Sequence, residues 1–214
     1  AAQMRGPWAG ELGQFQFIPE QYYNFGVDED GDGRVDLLKS SADALASAAN
    51  YIKSLGWQRG QPWLQEIRVP ANLPWDQADL TIKLPLAKWS ALGVTLAGGK
   101  PLPAKGPDAS VLLPMGRNGP AFLAYPNFDV YLQWNNSLVY STAAAYLATR
   151  IAGAGPVNRG SVGDLPSVAE IRETQKLLAA KGYDVGKIDG IIGGATRAAI
   201  KAEQLKYGLP ADSY

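Results

Sequence analysis

Nothing limits this chain more than the run Ala152-Gly-Ala-Gly-Pro-Val-Asn-Arg-Gly160. It carries no apolar period of 3.6 or 2, and its glycines and proline interrupt either regular element. Such a run reads as a linker, placed over residues 152–165, and it divides the chain into an N-terminal segment (residues 1–151) and a C-terminal segment (residues 166–214). Charge and residue type narrow what the two segments can do. Lys+Arg and Asp+Glu each total 20, a net charge of zero. That leaves no electrostatic footprint for nucleic acid or for an anionic membrane surface. Cysteine and histidine are both absent. Disulfides, Cys/His zinc sites, Cys nucleophiles and Ser-His-Asp triads are thereby excluded, and the chemistry falls to carboxylates. No apolar run is long enough to span a bilayer, and Ala1-Ala2-Gln3-Met4 is not a signal peptide.

The N-terminal segment opens on Trp8-Ala-Gly-Glu-Leu-Gly-Gln-Phe-Gln-Phe-Ile-Pro19. Small residues alternate here with large flat ones. The stretch fits either a Gly-rich packing seam or a sugar-binding surface, in which rings stack on sugars and amides pair with hydroxyls. Pro19–Asn24 predicts a short helix ended by Gly26, with Glu20 favouring its start. Asp28-Glu-Asp-Gly-Asp-Gly-Arg-Val-Asp36 places oxygen side chains at alternate positions and Gly33 at the sharp turn. This is the first two-thirds of an EF-hand loop, though Lys39 stands where the closing glutamate belongs. Either a structural calcium, held by Asp28, Asp30, Asp32, the Arg34 carbonyl and Asp36, or a solvated acidic turn is consistent with that pattern. Asp43 then begins a predicted helix 44–55, with Leu45, Ala48, Ala49, Ile52 and Leu55 on one face.

Strands are expected at 67–69 and 80–84, a short helix at 87–92 and a loop over 97–107. A hairpin follows, joining 110–113 to 121–125 around Gly116-Arg-Asn-Gly119. These elements form a small β-rich lobe over about residues 65–125. A stretch 129–134 and a helix 137–151 complete the segment, with Asn127, Tyr131, Trp134 and Tyr140 as candidates to face a groove beside Gln16. Aromatics at helical spacing more often serve a core, and Tyr131 and Trp134 are read that way. After the linker come a helix 168–180, with Ile171, Leu177 and Leu178 on a stripe, and a turn Asp189-Gly190-Ile-Ile-Gly193. A second helix runs on from Thr196-Arg197, with Asp189 and Thr196 as candidate caps and clamps.

Several of these words occur together in a known order. Gly6-Pro7-Trp8-Ala9-Gly10 through Gln16-Phe17-Ile18-Pro19, the acidic loop, Asn50-Tyr51…Gly56-Trp57 and Tyr125-Pro126-Asn127-Phe128 resemble the B-type lytic murein transglycosylases. Pro7, Glu11 and Leu12 depart from that family's serine, small residue and methionine. Thr174-Gln175-Lys-Leu-Leu178, Gly182-Tyr183, Asp189-Gly190-Ile-Ile-Gly193, Thr196-Arg197 and Tyr207-Gly208-Leu209-Pro210 resemble the small helical peptidoglycan-binding domain appended to wall hydrolases.

The two resemblances imply an α+β, mainly helical chain. Its N-terminal segment would be a partial lysozyme-like transglycosylase domain with the β-rich insertion, followed by a three-helix wall-binding domain at 166–214. They imply Gln16 and Asn127 as substrate contacts, with Trp8, Tyr125 and Tyr140 beside them, and Asp43 as the residue that closes the calcium loop. For wall binding they point to Asp189, Gly190, Thr196 and Arg197. The implied partner is the peptidoglycan glycan strand, in the periplasm or cell envelope, and no cofactor is needed for the chemistry. The family's catalytic glutamate lies upstream of the Trp-Ala-Gly stretch. The expectation is therefore a fragment or processed product, whose partners include its own N-terminal portion and whose upstream sequence leaves room for a lipid anchor. Glu11 is the nearest acid and the one catalytic candidate within the chain; it does not match the family's catalytic position and is read instead as a groove-lining or structural acid.

Overall fold

A computed structural model describes residues 7–214, so Gly6 of the first motif lies outside it. The chain packs as two compact units, Ala1–Arg59 and Gly60–Tyr214. The break in packing thus falls well before the predicted linker.

In the first unit, α1 (Pro19–Phe25) begins with its proline at the first turn, where no N–H is missed. Helix α2 (Ser41–Ser54) starts earlier than expected, because Ser40 and not Asp43 is its cap: the Ser40 Oγ accepts the Asp43 N–H at 3.3 Å. The buried face is turned accordingly. It consists of Asp43, Ala44, Ser47 and Ala48, while Leu45 stays 61% exposed. Phe17, Phe25 and Tyr51 form the aromatic contact between the helices, with the Phe17 and Phe25 ring centroids 5.8 and 4.8 Å from that of Tyr51.

The second unit is built on β1 (Leu64–Arg68), β2 (Thr95–Leu96), β3 (Ser110–Leu112) and β4 (Ala121–Ala124). All pairings are antiparallel, in the order β2-β1-β4-β3. The predicted hairpin is β3–β4. The predicted strand at 67–69 lies a few residues earlier, and Pro70 ends it. Residues 80–84 form no strand: the Asp79 carboxylate accepts both the amide and the hydroxyl of Thr81, which turns the chain, and only Leu84 bridges to Ala109.

Odd-numbered residues of β1, β3 and β4 (Ile67, Val111, Leu123) face a core with Leu86 and Trp89, both on α3 (Leu86–Ala91). Even-numbered ones (Leu64, Leu112, Phe122, Ala124) face Phe128 of α4 (Pro126–Trp134) and Ala145 of α5 (Leu138–Ile151). That alternation is the strand period at work.

Residues 166–214 hold two helices, α6 (Val168–Ala180) and α7 (Gly194–Lys206), where three were expected. Residues 181–193 run as turns, tied by the Asp184 and Asp189 carboxylates to the Gly186 and Ile191 amides. Leu178, Val185 and Ala199 form the small core, and Leu177 is 58% exposed.

Candidate functional sites

The aromatic stretch folds as a tight hairpin. Leu12 and Phe17 exchange both backbone hydrogen bonds, at 2.7 and 2.9 Å, around the turn Gly13–Gln16. Gly13 and Phe17 form a packing seam: Phe17 is buried, and a Cβ on Gly13 would lie 2.4 Å from the Leu37 carbonyl oxygen. Trp8, 98% exposed, and the exposed Gln16 face outward from the same stretch. Gln16 holds φ at +51°, the left-handed region that costs a non-glycine residue about 1 kcal/mol or more. The Glu11 Oε2 is buried and has no hydrogen-bond partner among the described residues.

The predicted substrate residues of the second unit are less accessible. Tyr125 is a core residue and not a groove residue: it is 2% exposed, its hydroxyl donates to Gln65 Oε1 at 2.7 Å, and burial pushes its pKa up to about 12. Asn127, 1% exposed, lies in the first turn of α4 and donates through Nδ2 to the Gln61 carbonyl at 3.0 Å. Tyr140, at the start of α5, is half exposed. Tyr131 packs in the even-face core, and burial raises its pKa.

In the acidic loop, Asp28, Asp30 and Asp43 bring carboxylate oxygens within 4.8 Å of one another. Asp28 also accepts the Gly31 and Gly33 amides, at 2.8 and 2.9 Å. Asp43 is fully buried and accepts amides from Asp36, Glu29 and Asp30. The Asp36 amide above all, with the other two, holds its pKa below the usual carboxylate range against the opposing effect of burial. Asp32 and Asp36 stand outside this trio: Asp32 accepts the Arg34 amide, and Asp36 those of Leu38 and Lys39. A buried ionised carboxylate beside two others is a hard-oxygen donor set suited to a cation of calcium type.

The predicted wall-binding residues turn out to hold the fold together. Gln175, completely buried, receives the Gly190 amide and donates to the Lys187 and Ile191 carbonyls and the Thr196 hydroxyl. Thr196 is not a cap, since Gly193 takes that place, and its hydroxyl donates to Val185 O at 3.0 Å. Arg197, 9% exposed, reaches out of the module to the β-lobe and donates to Leu113 O at 2.6 Å and Pro114 O at 3.0 Å. Lys201–Asp79 (2.7 Å) and Arg117–Asp212 (3.5 Å) reinforce the contact. Sequence reasoning quoted Gln175 only as part of a motif, with no role, and passed over Asp212. A glutamine on an otherwise apolar helix stripe was the available signal for the first.

The first unit is thus helical with a cation-type loop, and the second is a β-lobe that carries a small helical module. The chain belongs to the transglycosylase SLT domain family, whose model matches residues 1–149; a peptidoglycan binding domain model matches residues 167–214. Among curated proteins, it is 30% identical over 151 residues to membrane-bound lytic murein transglycosylase B of Escherichia coli K12, covering 70% of this chain and 40% of that one. Among solved structures it matches SltB3 of Pseudomonas aeruginosa in complex with NAG-anhNAM-pentapeptide. That match has a TM-score of 0.85 at 47% identity, over 100% of this chain and 58% of that one. The Escherichia coli lytic transglycosylase Slt35 in complex with calcium matches over 70% of this chain and 46% of its own, with a TM-score of 0.56 at 30% identity. The chain therefore spans about half the length of these relatives.

Proposed function

We propose that this chain supplies the glycan-holding and wall-binding portion of a peptidoglycan lytic transglycosylase of the periplasm or cell envelope. Such an enzyme cleaves the MurNAc-β-1,4-GlcNAc bond without water. A carboxylic acid protonates the glycosidic oxygen as the C1–O bond breaks. The resulting carboxylate then takes the proton of the muramyl C6 hydroxyl as its oxygen closes on C1, leaving a 1,6-anhydro end. The internal nucleophile takes the place of water, so one carboxyl group suffices where common glycosidases use two. That group must be protonated at working pH, which an apolar surround favours.

The observation that carries this reading is Gln16, held in a left-handed conformation at an exposed hairpin tip in the same short stretch as exposed Trp8. Strain kept at a surface amide supports a functional role for it. Proton transfer is assigned to no residue of the second unit. Glu11, whose buried Oε2 has no hydrogen-bond partner among the described residues, supports a second reading in which this chain carries its own acid. The Asp28, Asp30 and Asp43 trio would hold calcium to pin the loop onto α2, as suits the calcium complex of a relative.

Incubation of the purified chain with sacculi, followed by mass spectrometry, tests the assignment. Retention on sacculi without anhydro products fits the holding role. Anhydro muropeptides that vanish in Glu11→Gln move catalysis to Glu11. No retention at all refutes the proposal.

A further inference from the structure

The interdomain run is not a free tether. Val157 donates its amide to the Tyr146 hydroxyl at 2.7 Å, Asn158 to Glu66 Oε1 at 2.8 Å, and Ser161 to the Asn118 carbonyl at 2.9 Å. Gly160 passes so close to the β3–β4 turn that a Cβ there would lie 2.1 Å from the Asn118 oxygen, and its φ is +69°. Residues 157–161 are thus a strap laid against the lobe. Between the strap, the turn and the end of β1 lies a recess of about 290 Å³, with Glu66, Arg68, Arg117, Asn118, Asn158 and Ser161 in its wall.

The charges in this recess are unevenly satisfied. Arg117 is engaged with Asp212, through a 2.9 Å amide bond and a 3.5 Å ion pair. Glu66 spends one oxygen on the strap. Arg68 is exposed, and its guanidinium has no hydrogen bond or ion pair among the described residues. Glu66 and Arg68 stand two positions apart on the same side of β1, roughly 6.6 Å along the strand. An arginine fork presented in a polar recess matches a carboxylate, and a glutamate oxygen at that separation matches an ammonium. A bare polyanion such as phosphate would meet Glu66 unfavourably.

We propose that this recess binds the zwitterionic portion of a peptidoglycan stem peptide, with a free carboxylate on Arg68 and an amino group toward Glu66. The glycan backbone is uncharged, because the muramyl carboxyl is spent in the amide to the peptide, so the wall polymer offers this pairing on its peptides. The proposal rests on the peptidoglycan reading above and extends it to a second, peptide-directed contact on the β-lobe.

The test is an NMR titration of the full chain with a sugar-free stem pentapeptide containing a diamino acid. The expected result is a saturable shift of the Arg68, Asn118, Asn158 and Gly160 amides. Arg68→Gln, checked for intact amide dispersion, should weaken the titration at least ten-fold, and amidating the peptide's carboxylates should do the same. Equal displacement by inorganic phosphate would make the recess a general anion site and overturn the proposal. Unchanged binding in Arg68→Gln, or shifts confined to α6 and α7, would overturn it as well. Peptide-free glycan oligomers form the separate arm. Their failure to bind while the peptide still titrates refutes the glycan reading and leaves the recess assignment standing.

Discussion

Arg197 of the wall-binding module donates to the backbone carbonyl of Leu113 in the β-lobe at 2.6 Å, across 84 residues of sequence. A buried guanidinium whose donors meet carbonyl oxygens is a strong tie, and burial itself pushes its pKa down while Tyr214 and Asp212 push it back. The family resemblance suggested this residue for the wall. Its geometry instead makes it the fastening between module and lobe.

Replacing Arg197 by alanine should therefore cost about 2–3 kcal/mol, the range for a buried charge-assisted hydrogen-bond set. Thermal unfolding checks this, and sacculus retention should be unaffected once the protein is folded.

Calcium should raise the melting temperature, since a ligand taken up only by the folded state stabilises it. Asp28→Asn and Asp43→Asn should abolish the rise. Asp43→Asn should also destabilise the calcium-free chain, because an amide cannot accept the Asp36, Glu29 and Asp30 N–H groups on both arms.

The pH dependence follows from the same aspartate. The folded pKa of Asp43 lies below its unfolded value near 4, so more protons are bound on unfolding. Its contribution is complete above about pH 4 and is lost as the pH falls through the lower, folded value. Acid titration of chelated protein should show a loss of unit-one structure below about pH 4, and Asp43→Asn should remove that component.

Gln16→Gly should stabilise the hairpin by up to about 1 kcal/mol, by relieving the left-handed strain, and should weaken retention of peptide-free glycan. A gain in both stability and retention would contradict the role given to Gln16.

How much of this was legible beforehand depended on how local the cause was. The starts of the helices at Pro19, Leu138 and Val168 were expected to within a residue, because Pro19, Ser137 and Ser167 act through contacts within a turn. The Gly116–Gly119 hairpin was equally local. Residues 80–84 have a good strand composition, but the Asp79 side chain bends them first. Leu45 and Leu177 lie outside the faces expected of them because a buried polar residue, Asp43 in one helix and Gln175 in the other, decides which side turns inward. Among the site residues, spacing marked Asp28 and Asp30 but also Asp32 and Asp36, which stand outside the trio, and Asp43 was reached only through the family resemblance because it lies beyond the regular loop. Tyr125 and Arg197 were not, because their partners Gln65 and Leu113 lie 60 and 84 residues away.

The pinned stretch Val157–Ser161 has an architectural corollary. A different domain spliced in after Ser161 would keep the lobe's own lashing, yet it would lack the ties that Arg197, Lys201 and Asp212 make to the lobe. Shuffling of such modules is thus constrained less by the length of the join than by a few distant side chains travelling with the cargo.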